Sequence, residues 1–218
     1  MKKASVVGDS ISTYEGYNPK GYAVHYTSRE IERNSLASVE DTWWMRVIVA
    51  LGAELKVNGS YSGSLVSGDA FPAAASPERI EVLKGPDGIS PDIILVYIGV
   101  NDFLSGIPVG RFSEAYAKML FGLQNTYPCA QIICATLVRA YCDGVARWHF
   151  PEERGGVSLR DYNEAIRNAC RQACVITADI AVSELIYETL DGIHPTRSGH
   201  QKLAEVWLES LKDPLSCS

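Results

Sequence analysis

The sequence predicts a three-layer α/β/α sandwich around a central parallel sheet of about five strands. Three observations predict it. Short apolar, β-branched runs alternate with stretches of helical period along the chain. The clearest run, Asp92-Ile93-Ile94-Leu95-Val96-Tyr97-Ile98, is apolar at successive rather than alternate positions, as in a strand covered on both faces. Finally, the runs end in small or polar residues (Gly8-Asp9-Ser10, Asn58-Gly59, Gly99-Val100-Asn101-Asp102), where an open parallel sheet presents its ligand crevice.

The 218 residues fit one domain, 1–218, with no repeat, low-complexity tract or separating linker. Hydrophobic content of 46% and charged content of 21% are ordinary for a globular protein. A net charge of -6 argues against nucleic acid or an anionic membrane as partner, because both require basic surface. No run approaches the roughly 20 apolar residues of a membrane span. Met1-Lys2-Lys3 leads directly into the first strand without an apolar signal segment, so a cytoplasmic location is expected, although a secreted chain already relieved of its signal peptide reads the same way. Six cysteines show neither a C-x-x-C pair nor a histidine at zinc spacing, so reduced thiols are expected. One disulfide among Cys129, Cys134 and Cys142 stays open, and Cys170 and Cys174 are expected to stack on one helix face.

In chain order, Ala4-Ser5-Val6-Val7 is strand 1, stopped by Gly8. Residues 11–38, rich in Gly, Asn, Pro and Tyr, lack sustained period and read as an extended loop with room for a short helix. Asp41 or Thr42 can cap a helix whose Trp44, Val47, Ile48 and Leu51 recur at helical spacing, with Gly52 as its stop. Leu55 to Asn58 is strand 2, and one helix is expected near 77–83. After strand 3 (92–98), residues 112–127 form an amphipathic helix with Ser113 near its cap and Pro128 beyond it. Gln131 to Leu137 is strand 4, followed by an insertion at about 138–157. A helix over 158–173 and a short strand 5 over 175–179 follow. Ser198 and Gln201 are spaced for a capping box at the start of the closing helix.

Ser10 lies just past the end of strand 1, a position suited to a nucleophile. A hydroxyl is a weak nucleophile alone, so it needs a base, a group that orients the base, and oxyanion donors. Of four histidines, His25 lies in the first loop, His149 in the insertion and His200 in the last helix. His194 sits in Asp191-Gly192-Ile193-His194-Pro195. The glycine allows Asp191 to fold back onto the imidazole, and Pro195 disfavours helix at His194. Asp191 and His194 are therefore the candidate orienter and base. The candidate oxyanion donors are the Ser10 N–H, the Gly63 N–H and the Asn101 side chain.

Gly8-Asp9-Ser10, Asn58…Gly63, Gly99-x-Asn101-Asp102 and Asp191-x-x-His194 resemble, in order, the four blocks of the SGNH hydrolases, also called GDSL-type esterases and lipases. The first block reads Gly-Asp-Ser-Ile-Ser and lacks the leucine of the name. The resemblance implies a flavodoxin-like sheet, Ser10, His194 and Asp191 as the catalytic triad, and Ser10, Gly63 and Asn101 as the oxyanion hole. It also implies that Asp9 and Asp102 brace loops rather than react. The wording Asp-Gly-Ile-His-Pro and Asn-Gly-Ser-Tyr-Ser-Gly-Ser is similar to bacterial members that remove acyl groups from carbohydrates.

The expected activity is a serine esterase acting on short-chain, acetyl-type esters of a small molecule or carbohydrate, without metal or cofactor. The expected rim includes Tyr14, Tyr22 and Tyr61, with Asn58, Tyr61, Arg147 and Trp148 as candidate substrate contacts. The insertion, with Glu152, Glu153 and Arg154, is too polar for a long-chain acyl channel. The alternatives are a lipase or thioesterase of the same superfamily, a catalytically silent carbohydrate-binding member, and a metal-dependent hydrolase built on Asp9, Asp102, Asp191 and His194.

Overall fold

The computed structural model describes residues 1–142 and 150–212. Strand β1 (Lys2–Gly8) ends in a single helical turn, Ser10–Ser12, and the first loop carries one short helix, α1 (Ser28–Arg33). Helix α2 (Trp43–Ala50) is capped by Thr42, whose hydroxyl accepts the Met45 N–H at 3.4 Å. Asp41, the other candidate cap, instead accepts the Ala37 N–H and pairs with Arg46 and Arg197. Strand β2 (Ala53–Asn58), helix α3 (Pro77–Glu81) and strand β3 (Ile93–Tyr97) follow.

Directly after β3 the chain turns into helix α4 (Val100–Leu104). Helix α5 (Val109–Thr126) begins three residues before Phe112, with Pro108 at its N-cap position, so Ser113 lies inside the helix rather than at its cap. Strand β4 (Gln131–Ala135) leads to strand β5 (Arg139–Cys142), then to a small hairpin, β6 (Glu153–Arg154) and β7 (Val157–Ser158). Helix α6 (Leu159–Ala173) opens with a capping box: the Ser158 hydroxyl accepts the Asp161 N–H, and the Asp161 carboxylate accepts the Ser158 N–H.

Strands β8 (Ile176–Ala178) and β9 (Ile186–Thr189) precede the closing helix α7 (Arg197–Ser210). The cap of α7 is Thr196, whose hydroxyl accepts the Gly199 N–H at 3.2 Å. The expected Ser198–Gln201 box does not form, because the Ser198 hydroxyl donates to Glu188 and Gln201 to Glu205.

The main sheet runs β2-β1-β3-β4-β8, with every neighbour parallel. After β1 the chain pairs β2 on one side and β3 on the other, so the order reverses at β1, where such sheets bind ligands. Helices α2 and α7 pack together on one face, and α3 and α6 both pack against α5 on the other. On the first face Trp43 stacks on Trp207 at 4.9 Å, with Tyr97 edge-on to both.

The sequence did not reveal the second, two-stranded parallel sheet β5–β9, which draws the start of the insertion beside the segment leading to Asp191. Cys129, Cys134 and Cys142 form no disulfide. Cys170 is buried in α6, whereas Cys174 ends that helix in left-handed conformation (φ 52°), so the two do not share a helix face.

Candidate active site

Strand β1 delivers Ser10 to the crevice because Gly8 lets three segments crowd its end. A Cβ on Gly8 would lie 2.6 Å from the Ser12 Oγ and 2.9 Å from the Ser60 Oγ. Asp9 caps the turn that follows, its Oδ1 accepting the Ile11 N–H at 3.0 Å. The Asp9 side chain is buried, its Oδ2 has no partner among the described residues, and burial pushes its carboxyl up to about 6. The Ile11 N–H and the His194 charge oppose that rise, while Asp102 adds to it.

Asp191 and His194 come from the other end of the chain, on the loop between β9 and α7. Gly192 holds φ at 90°, which folds the carboxylate back. Asp191 Oδ1 accepts the N–H groups of Ile193 (3.0 Å) and His194 (2.8 Å), and its Oδ2 lies 2.7 Å from His194 Nδ1. Burial raises the Asp191 carboxyl, but the hydrogen bond and charge of His194 and those two N–H groups outweigh it, so Asp191 stays ionised well below the usual carboxylate range. The other imidazole nitrogen, Nε2, lies 2.8 Å from the Ser10 Oγ. The turn is fastened from behind: the Thr189 Oγ1 accepts the Gly192 N–H, and the Tyr187 and Tyr26 hydroxyls donate to the carbonyls of Ile193 and Pro195.

The candidate oxyanion donors lie on the neighbouring loops. Among the described residues, neither the Ser10 nor the Gly63 backbone N–H has an acceptor. Asn101, at the start of α4, uses one amide hydrogen on the Ser64 carbonyl at 3.0 Å and has a second to offer. Asp102, fully buried, accepts the N–H groups of Val66 (2.8 Å) and Ser67 (2.9 Å), tying the loop after Gly63 to α4. Burial raises its carboxyl as well.

Several expected contacts fall elsewhere. Asn58 is 0% exposed; its amide donates to the Ser12 carbonyl at 2.7 Å and its Oδ1 accepts the Ser60 N–H, so it joins loops and offers nothing to a substrate. Tyr14 is buried rather than on the rim. Tyr61 does reach the rim, in an edge-to-face triangle with Tyr22 and Phe71, with centroids 5.1–5.4 Å apart. Arg147 and Trp148 lie outside the described residues.

Two residues were missed. Buried Arg79 donates to the Gly8 carbonyl, the Ser64 Oγ and the Pro72 carbonyl, joining the end of β1 to the Gly63 loop. His25 stacks on His194, with centroids 3.4 Å apart and planes at 11°. Neither has a signal in the sequence, because each acts only through residues distant along the chain.

The four groups proposed for a metal site are not gathered: Asp102 is committed to Val66 and Ser67, and among the described residues the set close enough to share an ion is His25, Asp191 and His194. Ring-nitrogen lone pairs lie in the ring plane, and in two rings stacked nearly parallel they cannot converge on one ion. The arrangement is a stack rather than a chelate.

A family model described as GDSL-like Lipase/Acylhydrolase matches residues 2–211. A multidomain esterase of Ruminococcus flavefaciens is 33% identical over 149 residues, 64% of this chain, and the match spans only 18% of that protein. A candidate GDSL-like lipase from Bacteroides uniformis superposes with a TM-score of 0.72 at 26% identity, over 97% of this chain and 95% of that one. Another from Bacteroides ovatus gives 0.71 at 22% identity, over 97% and 98%, a likeness of fold.

Proposed function

The chain belongs to the GDSL-like lipase/acylhydrolase family and is a carboxylic ester hydrolase, and we propose that it cleaves short-chain acyl esters through Ser10, His194 and Asp191. The observation that supports this reading most is the relay of two short contacts in series, Ser10 Oγ to His194 Nε2 at 2.8 Å and His194 Nδ1 to Asp191 at 2.7 Å. His194 takes the Ser10 proton on Nε2 as the Ser10 oxygen attacks the ester carbonyl. The carbonyl oxygen becomes an oxyanion held by the N–H groups of Ser10 and Gly63 and by the free amide hydrogen of Asn101. The imidazolium, steadied by ionised Asp191, gives that proton to the leaving alcohol as the ester C–O bond breaks. Water then repeats the sequence on the acyl-serine, releasing the acid and restoring the hydroxyl.

The acyl group is short, most simply acetyl, and the alcohol is carbohydrate-like. The Tyr22, Tyr61 and Phe71 triangle abuts the crevice, since the Tyr61 N–H donates to the Gly8 carbonyl, and Phe71 is 41% exposed. Such rings suit the apolar face of a sugar. A cavity of about 670 Å³ beside the start of α6, lined by Leu137, Arg139, Glu152, Arg160, Asn163 and Ile186, includes neither Ser10 nor His194 and so supplies no acyl channel to them.

The test is Ser10→Ala, assayed on p-nitrophenyl acetate, butyrate and octanoate and on acetylated xylo-oligosaccharides. Turnover and labelling by a serine-directed organophosphonate should vanish, rates should fall with chain length, and a chelator should change nothing. Undiminished hydrolysis by the variant refutes the triad, and preference for octanoate refutes the short acyl group.

A further inference from the structure

We propose that His25 is a positioning residue for His194: its imidazole is a flat platform that fixes the tilt of the His194 ring and steadies the charge that ring carries during turnover. The inference rests on the reading of Ser10, His194 and Asp191 given above. The two rings lie face to face, with centroids 3.4 Å apart and 11° between planes. The bonds to Ser10 and Asp191 act at the edge of the ring and leave its face without support against tilting. His25 packs on that face and resists the tilt.

The platform is itself anchored to the nucleophile. The His25 N–H donates to the Thr13 Oγ1 at 2.9 Å, and that hydroxyl donates to the Ser10 carbonyl at 3.0 Å. The adjacent Tyr26 sets its ring edge-on to His25 at 4.9 Å and its hydroxyl on the Pro195 carbonyl at 2.7 Å. One two-residue segment therefore grips both the back of the nucleophile turn and the far side of the acid–base turn.

Burial, helped by the His194 and Arg33 charges and opposed by Asp191, holds His25 down at about 4, so a neutral ring faces the imidazolium that forms. The face of a neutral aromatic ring attracts a cation, whereas a second charge there would repel it. The His25 Nε2 is buried without a partner among the described residues, so that nitrogen adds no hydrogen bond; what the site uses is the ring face.

The experiment compares His25→Phe, His25→Leu and His25→Ala in the full chain, with kcat and KM on p-nitrophenyl acetate and the ring-proton NMR signals of His194. Phe keeps a face and should hold kcat within about threefold of wild type. Leu and Ala remove it and should lower kcat about 10-fold with KM nearly unchanged. The ring-current shift of the His194 protons should persist in the Phe variant and vanish in the Leu variant. If Ala does not fold, Leu, which fills the volume without a ring, decides. Full kcat in the Leu variant, or a Phe variant as slow as Leu, overturns the proposal. Ser10→Ala keeps the two claims apart: turnover surviving that change sinks the triad, whereas an inert Ser10→Ala beside a fully active Leu variant sinks only the platform.

Discussion

Replacing Asp9 with asparagine tests the account of the turn after β1 through the pH dependence of stability. Asp9 is buried with one oxygen on the Ile11 N–H and the other without a partner, and its carboxyl is pushed from the usual 3.8 up to about 6. The native state therefore holds a proton that the unfolded chain has released between about pH 4 and 6, and stability from this group falls as pH rises through that window. The gap is worth about 3 kcal/mol. The buried histidines His200 and His25, held down at about 3 and about 4 chiefly by burial, work in the opposite sense: the unfolded chain binds their protons first, so stability rises with pH up to about 6.5. In wild type the two trends partly cancel. Asp9→Asn keeps an oxygen for Ile11 but carries no titrating charge, so only the rising trend remains. Its new amide hydrogens lie where the orphan oxygen was, at a constant cost of about 1–3 kcal/mol. Urea melts of both proteins from pH 4 to 7.5 should show the stability of the variant relative to wild type rising by about 2.5 kcal/mol between the two ends, most of the full gap. A difference that stays flat across that range refutes the reasoning, whatever its absolute value.

Two further substitutions address the oxyanion side. Asp102→Asn presents an amide NH₂ to one of the two backbone donors, Val66 or Ser67, so one charge-assisted bond is lost and a donor meets a donor. We expect about 2–4 kcal/mol of destabilisation in urea melts, together with a lower kcat as the Gly63 loop loosens; unchanged stability would show that the brace is not needed. Asn101→Ala should cut kcat on p-nitrophenyl acetate by about 10²–10³ with little change in KM, and a loss below about fivefold removes Asn101 from the oxyanion hole.

What the sequence made legible was what local rules control. The five-stranded parallel sheet follows from runs such as Ile93 to Tyr97, whose residues are all buried. The Asp191–His194 turn was readable because its carboxylate, glycine and imidazole lie within four residues. Where a hydroxyl competes for several partners, the sequence could not choose: Ser198 matched a capping spacing, yet Glu188 on the adjacent strand took its hydroxyl and left Thr196 to cap α7. Asn58 misled for a related reason. A polar residue at a strand end looks exposed in one dimension, but the first loop folds over it and takes its amide hydrogen at Ser12, while its oxygen turns back to the Ser60 N–H. The pairing of β5 with β9 was invisible because four-residue strands carry too little period to register.

The first loop shows why a segment without period can still be ordered. Beside the hydrogen bonds inside the loop, a second set runs from it to the segments that carry the candidate site residues. Asn18 donates to the carbonyls of Asn58 and Ser60 and accepts the Tyr14 N–H. The Ala23 carbonyl accepts the Ser62 N–H, one residue before Gly63, and the Asn34 carbonyl accepts the Arg197 N–H at the start of α7. With Tyr26 on Pro195 and His25 on His194, the loop ties β1, the Gly63 loop and the Asp191–His194 turn into one body. Preorganisation of this kind accelerates a reaction because the donors and the base need not be gathered as charge develops. Loops carry no hydrophobic face to fix them, so a fold that places its proposed nucleophile, base and oxyanion donors on four separate loops needs a fifth segment to hold them in register. Residues 11–38 fill that role: Asn18, Ala23, Tyr26 and Asn34 each bond to a partner outside the loop, while bonds such as Ser28 to Glu15 and the Glu15 N–H to the Tyr26 carbonyl hold the loop's own shape.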